Sequence, residues 1–287
     1  ANVKNYYAGG LFGLLYNYAA LTLKNMDIMP CSNDEDVGKI ISYTYEALGG
    51  LIGTKYDTLN KPSTIEIEYC NVIDIDIKGG GQCAGVIAKP SQDDTNKQPP
   101  IMTISNTHVK RRDKQAPTIS SYYGKSSGSK WADSAGIAGY CGGWTGSTIT
   151  TLTIDNCSVE GYTMQSTNSE GCSGLVGKIE THNLVIKNSL VKDCILKGDG
   201  NIGGFLANNA SGTGGFKGYN LVSDNVQIMN ASGGQLADNY ANAGDVVGNN
   251  NGKTLKLVGV SVQKQDNGIY ATKAVGGTFT ASNGYVI

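Results

Sequence analysis

Two short motifs alternate along the chain, and this repetition constrains the fold more than any other feature of the sequence. The first motif is a glycine followed by two mostly apolar residues, and it begins at Gly10, Gly50, Gly85, Gly136, Gly174, Gly204, Gly244 and Gly277. The second is apolar-x-apolar-x-Asn-x-x-apolar, and it begins at Leu21, Ile65, Met102, Leu152, Leu184, Leu221 and Leu255. The spacing between successive first motifs varies from 30 to 51 residues. This pattern is typical of a repeat protein with units of variable length.

The second motif predicts a strand that ends in a bend. Its apolar and polar residues alternate, as they do in a strand with one buried face. The asparagine tolerates a left-handed backbone and marks the bend. The predicted bend residues are Asn25, Asn106, Asn156, Asn188 and Asn225, with Gly259 in the seventh copy and a local variation at Tyr69. If the copies stack, the asparagine amides form a ladder.

The fold class expected from these repeats is all-β, a parallel β-helix (β-solenoid) of about seven coils. One coil cannot bury its apolar row alone, and stacking supplies both the core and the backbone hydrogen bonds. We expect a single domain over 1–287. The alternative is a β-sandwich whose motifs are evenly spaced by coincidence.

Residues 33–48 depart from the repeat. Ser32 is a helix cap, acidic residues follow it, and Val37, Ile40, Ile41 and Leu48 recur at helical spacing before Gly49. We therefore expect one short amphipathic helix over 33–48, covering the open end of the first coils. Recognition of a partner helix is the alternative role.

The motif pair in the fourth and fifth copies resembles a known family. Gly-Leu-Val-Gly at 174–177 and Ile-Asp-Asn-Cys-Ser-Val at 154–159 are similar to the GLUG-type repeats of bacterial surface proteins and adhesins. The resemblance covers most of the chain and is weak at the seventh copy. It implies a right-handed parallel β-helix displayed outside the cell. The family has no shared catalytic centre, so the resemblance implies no active-site residue.

Composition narrows the possible partners and location. The net charge is −1, which argues against the electrostatic footprint of a nucleic-acid-binding protein. No stretch approaches the roughly 20 apolar residues of a membrane-spanning helix. Seven cysteines and three Asn-x-Ser sequons favour an exported protein, located outside the cell or on its surface. Asn209 and Asn230 are the candidate glycosylation sites, whereas Asn156 is expected to be protected by its place in the ladder.

Two insertions in the third copy, at 89–100 and 110–134, form the candidate ligand site. Residues 89–133 hold eight Lys or Arg against four Asp. The candidate binding residues are Arg111, Arg112, Tyr122, Tyr123 and Trp131. Such basic and aromatic groups pair with acidic groups and stack on sugar rings, so an acidic glycan or a surface protein is the expected partner. The alternative is a solvated loop that binds nothing.

We expect neither a metal nor a cofactor. Glu66, Glu68, Asp74 and Asp76 alternate with isoleucines and point outward, where they either hold Ca²⁺ if two rows converge or solvate the surface. His108 and His182 have no partner at ligand spacing, and both are expected at the surface.

Four cysteines occupy equivalent places in two copies. Cys70 and Cys157 follow the bend residue, and Cys83 and Cys172 lie two residues before the next glycine. Disulfides Cys70–Cys83 and Cys157–Cys172 would close short loops. The alternative is parallel placement without bonds.

Three functions from different classes fit these features. The leading hypothesis is a secreted or cell-surface, non-enzymatic β-helix module for adhesion or extracellular structure. The second is a carbohydrate-active β-helix enzyme of pectin-lyase-like type, which needs converging carboxylates or Ca²⁺ with a basic residue. The third is a subunit of an extracellular filament formed by self-association.

Overall fold

A computed structural model describes residues 2–3, 7–16, 20–30, 38–42, 47–56, 63–90, 100–112, 116–122, 133–142, 150–167, 171–180, 182–210, 215–237 and 240–277. These residues form five parallel sheets of seven strands each. Five consecutive strands make one coil, and we name the sheets A to E after the order of their strands in the coil. Neighbouring strands of every sheet come from consecutive coils. The all-β prediction and the stacked parallel architecture are confirmed.

The strands of the first four coils have these bounds. Coil one comprises β1 (Asn2–Val3), β2 (Ala8–Gly9), β3 (Phe12–Tyr16), β4 (Ala20–Lys24) and β5 (Asp27–Ile28). Coil two comprises β6 (Gly38–Ser42), β7 (Leu48–Gly49), β8 (Ile52–Tyr56), β9 (Thr64–Glu68) and β10 (Asn71–Ile73). Coil three comprises β11 (Ile75–Gly79), β12 (Cys83–Ala84), β13 (Ile87–Lys89), β14 (Ile101–Ser105) and β15 (His108–Lys110). Coil four comprises β16 (Thr118–Ser121), β17 (Asp133–Ala135), β18 (Ala138–Cys141), β19 (Thr150–Asp155) and β20 (Ser158–Glu160).

The last three coils follow the same order. Coil five comprises β21 (Thr163–Ser166), β22 (Gly171–Ser173), β23 (Val176–Ile179), β24 (His182–Lys187) and β25 (Leu190–Lys192). Coil six comprises β26 (Ile195–Gly198), β27 (Asn201–Gly203), β28 (Leu206–Asn209), β29 (Gly215–Tyr219) and β30 (Val222–Asp224). Coil seven comprises β31 (Gln227–Asn230), β32 (Ala243–Gly244), β33 (Val247–Asn249), β34 (Thr254–Val258) and β35 (Ser261–Gln263).

In sheet D, the strand register places identical residues of neighbouring coils on top of one another. Ile154 of β19 pairs with Ile104 of β14 on one side and with Ile186 of β24 on the other. All three side chains are fully buried in the central core. A shift of one residue would turn each apolar row outward, so the alternating pattern fixes the register.

The predicted helix over 33–48 is wrong in the part that the structure describes. Residues Gly38–Ser42 are strand β6, which pairs in parallel with β11 and β1. The apolar residues of this segment fit the spacing of a strand as well as that of a helix. Pairing with a strand on each side selects the strand. Residues 31–37 and 43–46 lie outside the described residues.

The bend between sheets D and E is left-handed in every coil. Positive φ values occur at Asn25, Tyr69, Asn106, Asn156, Asn188, Asn220 and Gly259. Tyr69 therefore keeps the common backbone (φ 53°) where a variation was expected. The sixth bend is Asn220, five residues before the predicted Asn225. Asn225 is also left-handed, but it belongs to the corner between sheets E and A, where its amide donates to Asp193 (2.8 Å).

The asparagine side chains at this bend form a partial ladder on the surface. The Asn156 amide donates to Asn106 (2.7 Å), and the Asn220 amide donates to Asn188 (3.1 Å). Between these two links, the Asn188 amide turns to the carboxylate of Asp155 (2.9 Å). All three bonds are exposed to solvent. Each is thus worth less than a buried hydrogen bond.

The first motif forms the corner between sheets B and C, and its glycines are required by steric crowding. A Cβ added to Gly136 would lie 2.1 Å from the carbonyl oxygen of Gly174 in the next coil and 2.4 Å from Cγ2 of Val159. The same two contacts recur at Gly50 with Val72 and at Gly85 with Val109. Sheet E therefore packs its valine row directly on the glycine column. Asp245 takes the glycine's place in coil seven, so the predicted copy at Gly244 shifts by one residue.

We expect Gly136→Ala to lower the free energy of unfolding by about 3 kcal/mol or more, because neither a backbone carbonyl nor a valine packed on it can move far. Gly252→Ala is the control: its added Cβ meets nothing within 4 Å, and only its positive φ (+66°) is strained, at about 1 kcal/mol. Urea unfolding of both variants measures the difference. Equal losses would contradict the steric role of the glycine column.

We expect Asn188→Leu to cost about 1 to 2 kcal/mol and Asn188→Gly less. Leucine is strained at φ 48° and removes two exposed side-chain hydrogen bonds, whereas glycine relieves the strain and loses only the bonds. Thermal melts of the two variants test this order. A leucine variant as stable as the glycine variant would contradict the role of the bend.

Candidate functional site

Variation in loop length is confined to three of the five corners. Two residues separate sheets B and C in every coil, and two separate sheets D and E. The connection between sheets A and B ranges from two residues after Gly198 to twelve after Asn230. The connection between sheets C and D ranges from two residues after Ile179 to eleven after Lys89. These two corners flank sheets B and C, and we call this side of the solenoid the loop-bearing side.

The two predicted ligand loops attach at different places. The insertion at 89–100 starts and ends at the corner between sheets C and D of coil three. The insertion at 110–134 includes strand β16, which divides it between the corner before sheet A and the corner after it. Arg111 and Arg112 precede β16, and Tyr122 follows it, so a strand of four residues, roughly 13 Å long, separates them. The structure does not bring these residues together. Tyr123 and Trp131 lie outside the described residues.

Two carboxylates hold the insertion that precedes β16. Asp74 accepts hydrogen bonds from the backbone N–H of Arg112 (2.9 Å) and from its Nε (2.9 Å). Asp76 accepts the backbone N–H of Thr118 (2.7 Å). Asp74 and Asp76 therefore fix both ends of an insertion, a role that the sequence did not suggest. Asp76 is buried, in contrast to the expectation that it points outward.

Arg111 is exposed, as is Arg112. Its backbone N–H donates to the carbonyl of Glu160 (3.1 Å), and its side chain lies over Gly161 of the next turn. Tyr122 donates its hydroxyl to the carbonyl of Ser42 (2.9 Å), so its polar end is bound within the solenoid.

The described residues contain no group of three or more His, Cys, Asp or Glu side chains that could hold a metal ion. Glu68 is paired with Lys24 (2.8 Å), and Asp74 with Arg112. Asp76 lies 3.3 Å from Lys78. These carboxylates are neutralised one by one, and the predicted alternative of a Ca²⁺ site has no set of ligands in this part of the chain.

Sheet C carries a polar row on the loop-bearing side that the sequence analysis missed. Lys178 forms an ion pair with Glu180 (2.6 Å), the Tyr140 hydroxyl bonds to the same carboxylate, and the ammonium lies 5.4 Å from the centre of the Tyr140 ring. Tyr140 and Lys178 pair across neighbouring coils. Each stands four residues after the glycine of its motif, so aligning the copies on that glycine would have revealed the row.

The six described cysteines are buried free thiols, which contradicts the predicted disulfides. Cys70 follows the bend between sheets D and E, whereas Cys83 lies in sheet B, and Cys157 and Cys172 are separated in the same way. Cys70 and Cys157 stand two coils apart with Thr107 between them, at roughly 10 Å along the axis. None of the described cysteines is joined to another by a disulfide. Cys31 lies outside the described residues.

In coils two to five, the residue after the bend has a side chain that donates a hydrogen bond. Cys70, Thr107, Cys157 and Ser189 each donate to the carbonyl two residues earlier in the chain. The hydroxyls of Thr107 and Ser189 also accept a backbone N–H from the preceding coil. Burial raises the pKa of Cys157, Cys172 and Cys194 to about 12, which keeps these thiols protonated and unreactive at neutral pH.

The histidines differ from each other. His182 is fully buried, in contrast to the expectation, and its ring nitrogens lie 3.3 Å from the carbonyl oxygen of Cys141 and 3.1 Å from that of Pro100. His108 is half-buried and contacts Ser158, whose hydroxyl donates to Glu160. Serine is the central member of this group, so the hydroxyl proton points to the carboxylate and away from the imidazole. In a nucleophilic triad, the histidine lies between the serine and the carboxylate.

The three sequons have different surroundings. Asn209, a candidate glycosylation site, is fully buried, and its amide donates to Asn250 (2.8 Å). Asn230 is half-exposed, and its oxygen accepts hydrogen bonds from Ser232 and Gly234. Asn156 is exposed within the ladder. A buried, bonded amide is a poor glycan acceptor, so Asn230 is the stronger of the two candidates.

Comparison with known proteins returns no matching family model, no matching curated protein and no matching solved structure.

No helix among the described residues is long and apolar enough to cross a membrane.

We expect the stability of the protein to fall as the pH drops below about 6.5, in part because of His182. Burial lowers the pKa of this histidine, although both nearby carbonyls favour the charged form. The unfolded chain, with a histidine pKa of about 6.5, thus binds the proton first, and the stabilisation present above that pH is lost as the pH falls through the lower folded pKa. Urea unfolding from pH 7.5 to 5.0 measures the loss.

His182→Gln is the comparison variant for this experiment. It removes the titrating group, so its stability should fall less than that of the wild type over the same range. An equal fall in both proteins would show that other groups cause the pH dependence.

Proposed function

We propose that this protein is a secreted or cell-surface β-helix module, non-enzymatic, that serves adhesion or extracellular structure. The observation that carries the proposal is the division between constant and variable corners. Two corners keep the same length in every coil, while the corners that flank sheets B and C accept insertions of up to twelve residues. The third variable corner, between sheets E and A, ranges from one residue after Ile73 to nine after Ile28. A rigid scaffold with variable loops is an arrangement that proteins use for binding.

The finer fold assignment is part of this proposal. We propose a right-handed winding, because parallel strands joined by crossovers within one sheet are almost always connected with that hand. The seven repetitions of the five-strand unit support seven coils. The motif resemblance to GLUG-type surface proteins supports the same assignment.

We propose an acidic glycan as the partner. Lys125, Lys130, Tyr123 and Trp131 fall in the connection between Tyr122 and Asp133 of coil four, which opens on the loop-bearing side. Arg111 adds an exposed guanidinium at the other end of β16, and Arg112 is already engaged by Asp74. Guanidinium and ammonium groups pair with carboxylate or sulfate, and aromatic rings stack on sugar faces.

The test is binding to sulfated and uronate-rich polysaccharides, with a neutral polysaccharide as the reference probe. We expect salt-sensitive binding to an acidic polymer that weakens at least tenfold when residues 123–132 are replaced by a Gly/Ser segment of equal length. An equal-length replacement of 143–149, at the corner between sheets C and D, is the control and should change binding less.

A matched pair of charge substitutions sharpens the experiment. Arg111→Ala should weaken binding several-fold, whereas Lys217→Ala, which removes the same charge from the exposed face of sheet D, should leave it unchanged. Equal effects of the two substitutions, or no binding to any acidic polymer, would contradict the glycan proposal. Release of shortened sugar chains would contradict the non-enzymatic part and favour the carbohydrate-active alternative.

A further inference from the structure

The outer face of sheet D is regular, because its seven strands pair without a change of register. Each strand contributes five residues at equal places, and these are 20–24, 64–68, 101–105, 151–155, 183–187, 215–219 and 254–258. The second and fourth residues of each strand face the core. The first, third and fifth residues point outward, so each place forms a column that runs along the axis of the solenoid.

The middle column, formed by the third residues, separates its charges by sign. From coil one to coil seven it reads Thr22, Glu66, Thr103, Thr153, Val185, Lys217 and Lys256. The acid lies near one end, both bases lie near the other, and the residues of coils three to five are uncharged. Neither Glu66 nor Lys256 forms an ion pair with another described residue.

The outer face of sheet E distributes its charges in another way. The same place in coils three to six is occupied by Lys110, Glu160, Lys192 and Asp224, so the signs alternate. Lys192 accordingly pairs with Asp224 at 3.5 Å. The opposite charges of the middle column in sheet D lie at least four strands apart, roughly 19 Å. This distance is too long for an ion pair within one molecule.

The first column of sheet D carries a projection and a gap. Ile101 of coil three projects from the face and is 43% exposed. Gly215 of coil six has no side chain, and a Cβ added to it would lie 2.5 Å from the carbonyl oxygen of Thr254. The two residues lie three strands apart, so a second copy with the opposite axis direction can place its isoleucine on this glycine.

We propose that two copies of this chain pair through the outer faces of sheet D. Their solenoid axes are antiparallel, and the twofold axis runs along the strands, between β19 and β24. Coil two then faces coil seven, coil three faces coil six, and coil four faces coil five. Glu66 meets the partner's Lys256, and Ile101 meets the partner's Gly215. A twofold interface is isologous, so each contact occurs twice.

Charge selects this arrangement over the one with parallel axes. Asp155 of coil four, which lies 3.8 Å from Lys187 of its own chain, also meets the partner's Lys187. Parallel axes would place every coil on its own copy, with Glu66 against Glu66 and Lys256 against Lys256. Like charges that face each other oppose association, whereas the antiparallel arrangement pairs unlike charges.

The size and composition of the face fit a weak dimer. Six strands of five residues span about 29 Å by 16 Å. Two such faces bury about 1,000 Å² in total, near the lower limit for a specific interface. Thr103, Thr153 and Val185 provide an uncharged centre, and the charges lie at the rim. The interface does not use Arg111 or the connection after Tyr122, so it goes beyond the glycan proposal and does not depend on it.

Sedimentation equilibrium of the full chain tests the proposal through exchanged charges. We expect the wild type to pass from monomer to dimer at micromolar concentration. Glu66→Lys and Lys256→Glu should each raise the Kd of the dimer at least tenfold, because each places like charges opposite each other twice. The double variant that carries both substitutions should restore the wild-type Kd. Lys217→Glu, whose position faces the partner's Thr103, is the control and should change the Kd less than Lys256→Glu.

Cross-linking through an engineered cysteine tests the direction of the two axes. Thr153 lies beside the twofold axis, and facing sheets lie about 10 Å apart, so Thr153→Cys should be joined to its copy by a bis-maleimide that spans about 12 Å. Thr22→Cys is the matched control, since the two copies of residue 22 lie roughly 34 Å apart along the axis. Both variants carry Cys31→Ser, and the six described cysteines are buried.

Three results would overturn the proposal. The first is a wild type that stays monomeric at the highest concentration reached. The second is a double variant whose dimer is as weak as those of the two single variants. The third is cross-linking of Thr22→Cys as efficient as that of Thr153→Cys, since the axes would then be parallel.

Discussion

The close approach of sheet E to the corner between sheets B and C sets the cross-section of this solenoid. The valine row of sheet E rests on a column of glycines that leaves no room for a Cβ, either toward the valine or toward the carbonyl of the next coil. The valine side chains of sheet E thus pack directly on the backbone of the glycine column. Other corners then adapt to a cross-section fixed here, because the two residues between sheets B and C never change in number. Asp245 interrupts the column only in coil seven, where its carboxylate forms an ion pair with Lys264 (2.8 Å).

The second constant element is the wall of sheets D and E, whose bend repeats a left-handed residue in each coil. Its stability comes from register and burial, while the exposed amide ladder adds little, since one link is diverted to Asp155. The length of the chain therefore varies only in the connections between this wall and the glycine corner. That constraint places the insertions on either side of sheets B and C and, in two coils, between sheets E and A, before β6 and before β16. Asp74 and Asp76 then fix the ends of that insertion, so even a variable corner is attached to the scaffold at defined backbone groups.

The sequence predicted the parts of the fold that depend on local pattern. It failed where contacts between neighbouring coils determine the structure. Five of the seven bends followed from Asn or Gly in a strand pattern, but Leu221-x-Ser223-x-Asn225 imitates the motif one corner late, and only pairing with β24 reveals Asn220. The segment 38–42 satisfies both a helical and a strand period, and its partner β11 selects the strand. His182 looked exposed because its burial depends on Cys141 and Pro100, which are distant in sequence. The row of Tyr140 and Lys178 was missed for the same reason.

The buried cysteines change the basis of the extracellular assignment. An odd number of cysteines and repeated spacings suggested disulfides, and disulfides suggested an oxidising compartment. In the structure, cysteine shares its place after the bend with Thr107 and Ser189, and all of them donate to a carbonyl two residues earlier. A thiol and a hydroxyl are interchangeable in that role, so the repeated spacing reflects hydrogen bonding within the core and not cross-linking. Asn209, buried and bonded to Asn250, weakens the sequon argument in the same way. The proposal of a surface module therefore depends on the loop-bearing scaffold and on the motif resemblance, and the glycan-binding experiment tests that basis directly.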